Sequence, residues 1–315
     1  MRAFVFPGQG SQKVGMGVEL AAASPAAREV FEEVDDALGQ KLSVIMRDGP
    51  DDELTLTANA QPAIMANAIA VLRVLEKEGG IALAEKADFV AGHSLGEYTA
   101  LCTAGAFGLA DTARLLKLRG TAMQAVVPVG IGAMCVLLGA DIDKATALAE
   151  AAAGGEVCAV ANDNDPGQVV LSGHAGAIER AIAMVKDFGI KRGMALPVSA
   201  PFHCPLMQPA ADAMAEALER TQPATLRLAL FANVTAGIVT DPAEVRRLLV
   251  EQVTGRVRWR ESVLAMAEAG VENFIELGGK VLGPMISRTL VDRGTDMDVT
   301  SVVGMADIEA LLAGL

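Results

Sequence analysis

Histidine and cysteine are scarce in this 315-residue chain, with three of the first and four of the second, and that scarcity narrows its chemistry at once. Cys102, Cys135, Cys158 and Cys204 are scattered without a C-x-x-C pair, which offers neither a disulfide framework nor a zinc site; free, buried thiols are expected. Basic residues are outnumbered, 26 Lys and Arg against 39 Asp and Glu, for a formal net charge of −13. Such a chain lacks the broad basic surface that releases phosphate counterions, so nucleic acid is excluded as a partner. No apolar run is long enough to span a bilayer, and the first six residues meet Pro7 and Gly8 too early for a signal-peptide core. No membrane partner is expected, and the cytoplasm is the default compartment. The loop Pro7-Gly8-Gln9-Gly10-Ser11-Gln12 is followed by no Gly-Lys-Ser/Thr and lacks dinucleotide-fingerprint spacing, so neither an NTPase nor a dehydrogenase fits. No cofactor and no metal is called for.

What is present is a chain 52% hydrophobic, enough for a large core as one big unit or one plus a smaller one. A short strand at 3–6 runs into the Gly-rich loop, and helical periodicity follows at 14–22, 25–38 and 61–79, the last opening with Pro62 at a first-turn position. A strand at 88–91 then meets Gly92-His93-Ser94-Leu95-Gly96 and a helical run at 97–106. This is the pattern of a nucleophile elbow, in which a serine on a sharp strand-to-helix turn sits at a helix N-terminus with glycines leaving room for the backbone. Helices feeding apolar strands in this order predict an α/β class with a mostly parallel sheet, like that of the α/β-hydrolases, with ligands at the strand C-terminal ends.

After a helix at 111–126, Pro128 and Gly130 punctuate a change to shorter elements: strand 133–138, helix 142–153, strands 157–162 and 168–172, helix 175–187 and strand 193–197. The middle strands are joined by the turn sequence Asp163-Asn164-Asp165-Pro166-Gly167. That βαββαβ order predicts a small ferredoxin-like subdomain, inserted at 128–199 into a larger catalytic unit made of 1–127 and 200–315. Long helices resume at 207–218, 242–252, 259–269 and 283–293. Short strands are expected near 228–233 and at 273–276, the latter at a sheet edge. The cleft between the two units is the expected pocket.

A neutral serine needs a base, and histidine is the usual one. His93 adjoins Ser94 and is assigned to support of the turn. His174, at the edge of the small unit, reads as a capping or surface residue. His203 lies in Ala200-Pro201-Phe202-His203-Cys204-Pro205, where the chain re-enters the large unit, and is the favoured base. No carboxylate after Ser94 announces itself as the third member of a hydrolase triad.

The runs Phe6-Pro7-Gly8-Gln9-Gly10-Ser11-Gln12 and Gly92-His93-Ser94-Leu95-Gly96-Glu97-Tyr98, the stretch 194–203, and Gln252 with Val257-Arg258-Trp259 resemble malonyl-CoA:acyl carrier protein transacylases over nearly the whole chain. The resemblance implies ping-pong transfer of malonyl from malonyl-CoA to the phosphopantetheine thiol of acyl carrier protein in fatty acid biosynthesis, through an ester on Ser94. It implies His203 as base, held by the backbone carbonyl of Gln252, and an oxyanion hole from the N–H groups of Gln9 and Leu95. It also implies a guanidinium fork at Arg119 for the malonyl carboxylate, and a bulky Phe202 that crowds an α-methyl branch. Two loops depart from the family pattern, Glu276-Leu277-Gly278-Gly279-Lys280 and Thr254-Gly255-Arg256, and both bear on docking rather than chemistry. An acidic carrier calls for a local positive surface, for which Lys191, Arg192 and Arg288 are candidates. A serine thioesterase or esterase using the same elbow, and a noncatalytic carrier-binding module, are the rival readings.

Overall fold

The computed structural model describes residues 1–128, 130–198, 200–291 and 297–315. Its strands are β1 (Arg2–Phe6), β2 (Phe89–Gly92), β3 (Gly132–Leu138), β4 (Cys158–Asp165), β5 (Gln168–His174), β6 (Arg192–Ala195), β7 (Ala229–Ala232), β8 (Gly237–Val239), β9 (Asn273–Leu277) and β10 (Asp298–Val302). Six of them form one sheet in the order β10-β9-β1-β2-β7-β8, parallel throughout except for the β7–β8 hairpin. The period-2 alternation of β1 explains why helices cover both faces. Phe4 and Phe6 enter a core with the helix Thr57–Lys77, whereas Ala3 and Val5 enter a second core with Trp259, Val263 and Ile286 on the opposite side.

The other four strands form an antiparallel sheet in the order β4-β5-β3-β6. Cys135, Leu137, Val169 and Leu171 point to the helices Ile142–Ala153 and Ala175–Met184. Their alternates Met134, Val136 and Val170 face the larger sheet's side of the molecule, against the first core. The fold class expected from the sequence, a mostly parallel α/β sheet with a small βαββαβ sheet, is the one the chain adopts.

Several local expectations are corrected. The helix read over 14–22 begins only at Val18, because Gly15 and Gly17 take φ of 90° and 77° and the Gly15 N–H bonds the Met46 carbonyl. Pro62 does not open its helix, which starts at Thr57. Proline there forfeits one backbone bond, but the helix is buried over most of its length, so tertiary packing decides. The turn read over 163–167 shrinks to Pro166-Gly167. Asp163, Asn164 and Asp165 continue β4 because each meets a partner from outside the sheet: Arg260 by hydrogen bonds of 3.0 Å, His93 at 2.8 Å and Arg288 at 2.8 Å. Strand β9 is interior, with β10 as the edge; neither β10 nor β8 was anticipated. The helix read over 283–293 is Leu282–Leu290, and positions 292 and 293 lie outside the described residues. His174 occupies the N-cap position of the helix Ala175–Met184 without capping through its side chain; its Nδ1 accepts the Val157 N–H at 2.9 Å.

Helices Thr57–Lys77 and Leu109–Ala125 approach so closely that a Cβ on Gly120 would stand 2.5 Å from the Thr57 carbonyl oxygen. Alanine at 120 gains about 1 kcal/mol of helix propensity, while overpacking against backbone costs up to about 3 kcal/mol. Gly120→Ala should therefore lower stability by about 2 kcal/mol, read from the denaturant midpoint; an unchanged or raised midpoint would show that the helices can part without cost.

Candidate active site

Ser94 follows the C-terminal end of β2 and is the N-cap of the helix Leu95–Thr103, at φ 54° and ψ −110°. A positive φ in a non-glycine residue costs about 1–3 kcal/mol and persists only where the surroundings enforce it. The flanking glycines are required by distance: a Cβ on Gly92 would lie 2.0 Å from the Gly96 carbonyl, and one on Gly96 2.2 Å from the Phe6 carbonyl oxygen. Asn233, just beyond β7, holds the turn from behind. Its Oδ1 accepts the Ser94 N–H at 2.7 Å and its Nδ2 donates to the Gly92 carbonyl at 2.6 Å. Gln252 adds a hydrogen bond from Nε2 to the Ser94 carbonyl at 3.0 Å.

The Ser94 Oγ lies 2.8 Å from His203 Nε2, and His203 Nδ1 lies 2.8 Å from the Gln252 carbonyl oxygen. A carbonyl can only accept, so Nδ1 carries the proton and Nε2 presents its lone pair to the hydroxyl. His203 is 4% exposed and also at positive φ, 58°. Burial, reinforced by the nearby Arg119 charge, pulls its pKa down to about 3. At neutral pH it is therefore an unprotonated base. His93 points away from the hydroxyl to Asn164 on β4, and burial depresses its basicity as well.

Arg119, on the helix Leu109–Ala125, is 1% exposed. Its Nη2 donates to Ser94 Oγ at 3.1 Å and to Gln252 Oε1 at 2.9 Å, and its Nη1 to Gln61 Oε1 at 2.9 Å; the guanidinium stands 5.7 Å from the centre of the Tyr98 ring. All three acceptors are neutral, and among the described residues it forms no ion pair. The one buried carboxylate nearby, Glu97, accepts at Oε2 from the Asn233 N–H at 3.0 Å and from Gln252 Nε2 at 2.9 Å. Burial raises Glu97 to about 7, so the amide of Gln252 separates a carboxyl that is half-neutralised near pH 7 from the guanidinium, which feels that charge only at a distance.

Ser94, His203, Arg119, Gln9, Leu95 and Phe202 all line one cavity of about 500 Å³ whose far wall is the inner face of the small sheet. The Leu95 N–H belongs to the first residue of its helix, where no intrahelical acceptor exists, and Gln9, in the loop after β1, lines the same cavity. The structure thus brings every residue singled out for the site to one place, Gln252 reaching it by its carbonyl and by its side chain. Lys191 and Arg192 are exposed at β6, and Arg288 is paired with Asp165 at 2.7 Å, which offsets part of its charge. Asn233, Glu97, Gln61 and Asn164 were not read as site residues. Only Glu97, inside the run at 92–98 that carries the family resemblance, had a positional signal.

The described residues hold no cluster of three or more His, Cys, Asp or Glu able to bind a metal, and none of their helices is long and apolar enough to cross a membrane. A hydroxyl, a neutral imidazole held by a carbonyl, the N–H of Leu95 at a helix N-terminus and a buried cation make up a set suited to acyl exchange on an anionic acyl group. A family model described as the acyl transferase domain matches residues 3–309. The chain belongs to the acyl transferase family. This acyl transferase is 43% identical over 305 residues to the malonyl CoA-acyl carrier protein transacylase of Escherichia coli K12, covering 96% of this chain and 97% of that one. It is likewise 43% identical over 288 residues to the protein of that name from Bacillus subtilis 168, covering 91% and 89%. Among solved structures it is similar to the acyl-carrier-protein-S-malonyltransferase of Bartonella henselae, with a TM-score of 0.95, 50% identity and coverage of 99% and 98%. It is also similar to a malonyl-transacylase in complex with its type II PKS acyl-carrier protein, with a TM-score of 0.94, 38% identity and coverage of 100% and 99%.

The depressed basicity of His203 has a definite sign. The folded protein keeps this imidazole neutral from neutrality down to about pH 3, whereas the unfolded chain protonates near 6.5. Its contribution to stability is present above the unfolded value and is lost as pH falls through that window. The His203 ring signals in an NMR titration, assigned through a His203→Gln variant, should stay at their neutral positions between pH 8 and 5; a midpoint near 6.5 would contradict the burial argument.

Proposed function

We propose that this acyl transferase moves the malonyl group from malonyl-CoA to the phosphopantetheine thiol of acyl carrier protein, by a ping-pong route through an ester on Ser94, in fatty acid biosynthesis. The observation that carries the reading is Arg119. A buried guanidinium with only neutral acceptors leaves room for one anion, and its position 3.1 Å from Ser94 Oγ suits a carboxylate two carbons beyond the acyl carbonyl carbon. The names of the relatives support the acceptor: a carrier-protein thiol, rather than the water of a thioesterase. Nor do they favour a noncatalytic carrier-binding module.

In the first half-reaction Ser94 Oγ attacks the thioester carbonyl while His203 Nε2 takes its proton. The N–H groups of Leu95 and Gln9 meet the oxyanion, aided by the dipole of the helix Leu95–Thr103. The C–S bond breaks, and His203 returns the proton to the departing CoA thiol. In the second half the carrier thiol gives its proton to His203 and attacks the ester, and the alkoxide of Ser94 recovers that proton as the thioester forms. The Gln252 carbonyl keeps Nδ1 protonated and stabilises the imidazolium in each half, a role elsewhere filled by a carboxylate. Phe202 beside the base narrows the space for a branched acyl group. We assign 1–127 and 200–315 to the larger catalytic unit and 128–199 to the insert that walls the cavity. Lys191 and Arg192, at the edge strand β6, are the cations proposed to meet the acidic carrier, with Arg288 contributing less because of Asp165. The cytoplasm is the compartment this reading assigns.

Intact-mass measurement after mixing with malonyl-CoA should show one malonyl adduct that Ser94→Ala abolishes and that discharges onto added acyl carrier protein faster than into buffer. Discharge at the same rate with and without carrier would return the reading to a thioesterase. Arg119→Ala should lower kcat/KM for malonyl-CoA by about 100-fold while sparing or raising that for acetyl-CoA; equal losses would dismiss the clamp. Methylmalonyl-CoA should react far more slowly than malonyl-CoA, and Phe202→Ala should narrow that gap.

A further inference from the structure

We infer that Gln61 is a specificity-determining residue of this site, holding Arg119 through its amide oxygen and offering its amide N–H groups to the carboxylate of the acyl group. The inference rests on the malonyl reading above and adds to it a residue that the sequence motifs do not contain.

Gln61 lies in the buried first half of the helix Thr57–Lys77, is 2% exposed, and lines the same cavity as Ser94 and Arg119. The close approach at Gly120, one residue after Arg119, brings the two helices near enough for the side chains to meet. The orientation of the amide follows from chemistry. A guanidinium has five donors and no acceptor, so the group within 2.9 Å of Arg119 Nη1 must be the amide oxygen. Nε2 is then the other arm of the same amide, toward Met123, one turn beyond Arg119 on the same helix. Its one partner among the described residues is the Met123 thioether sulfur at 3.8 Å, a weak acceptor. A buried amide nitrogen facing a cavity with so poor a partner is an underused donor, and leaving such a group unsatisfied is costly. An anion seated on Arg119 would satisfy it.

The neutrality of Gln61 matters as much as its donors. Arg119 rests on two amide oxygens, Gln61 Oε1 and Gln252 Oε1, with Glu97 kept one amide away by Gln252. Amide oxygens orient the guanidinium without cancelling its charge. A carboxylate in the place of the Gln61 amide has nearly the same shape and would close the ion pair from within, leaving the acyl carboxylate to meet a neutralised arginine and a second negative charge. Selectivity for a carboxylated acyl group therefore depends on an amide, rather than an acid, at position 61.

The test compares wild type, Gln61→Glu and Gln61→Met by the ratio of kcat/KM for malonyl-CoA to that for acetyl-CoA, with thermal unfolding recorded on each. The glutamate variant should lower the ratio by about 100-fold. The methionine variant, similar in size but without amide groups, should lower it by about tenfold through loss of hydrogen bonds to charged groups. A residue that only packed would depress both substrates together, so parallel losses in the two variants, or a ratio kept at the wild-type value in both, would overturn the assignment of Gln61 alone. A wild-type enzyme that takes acetyl as readily as malonyl would overturn the malonyl reading, and this inference with it.

Discussion

The backbone at Ser94 is the constraint on which the rest of the site depends. A serine at φ 54° is strained, and the strain is what turns its hydroxyl out of the sheet toward His203. Asn233 and Gln252 hold the peptide on both sides of it, the first from the end of β7 and the second from the helix Pro242–Thr254. Three segments far apart in the chain thus fix one dihedral. The two glycines of the elbow run are the local half of the same requirement, since a Cβ at either would collide with backbone.

From that turn the charges can be followed outward. The proposed base and the proposed anion site share Gln252, whose carbonyl faces His203 Nδ1 while its side-chain oxygen faces Arg119. One residue therefore couples the tautomer of the imidazole to the orientation of the guanidinium. The Arg119 charge in turn helps keep His203 unprotonated. An anion bound at Arg119 would weaken that effect, raising the basicity of His203 when the acyl group is in place and the serine proton must move. The small sheet is tied into this arrangement at β4, where Asp163, Asn164 and Asp165 reach Arg260, His93 and Arg288. The middle contact ends on the residue before Ser94, so the cavity's far wall is anchored to the elbow itself.

Much of the fold was legible because it rests on local periodicity. The helix Pro25–Leu38 follows from a Ser24 cap, a proline at its first turn and Gly39 at φ 58° beyond its end; these are properties of adjacent residues. The small βαββαβ unit was legible for the same reason. The misread elements are those in which a distant partner overrides local preference. Asp163 to Asp165 look like a turn and form strand because two arginines and a histidine meet them, and Thr57 to Gln61 precede a proline yet are helix because all of them but Ala58 are buried. Strand β8 has three residues, too few to show a period even though its partner β7 is next to it in the chain, and β10 pairs with β9 only across the intervening helix Leu282–Leu290.

For the site, the sequence by itself marked the elbow at Ser94, singled out His203 among three histidines, and, through family resemblance, pointed to the parts proposed for Arg119, Gln252, Gln9, Leu95 and Phe202. These are legible because glycine spacing, a rare residue type and an ordered run of motifs are one-dimensional features. Only the tertiary structure decided that Arg119 is buried with no ion pair among the described residues, that Asn233 holds the elbow, and that the amides of Gln61 and Gln252 flank the guanidinium. Amide side chains carry no charge and no periodicity that would mark them in a sequence; their significance lies in which atom faces which neighbour across a helix or sheet contact. That is settled only when the chain has folded and every buried donor has to find its acceptor.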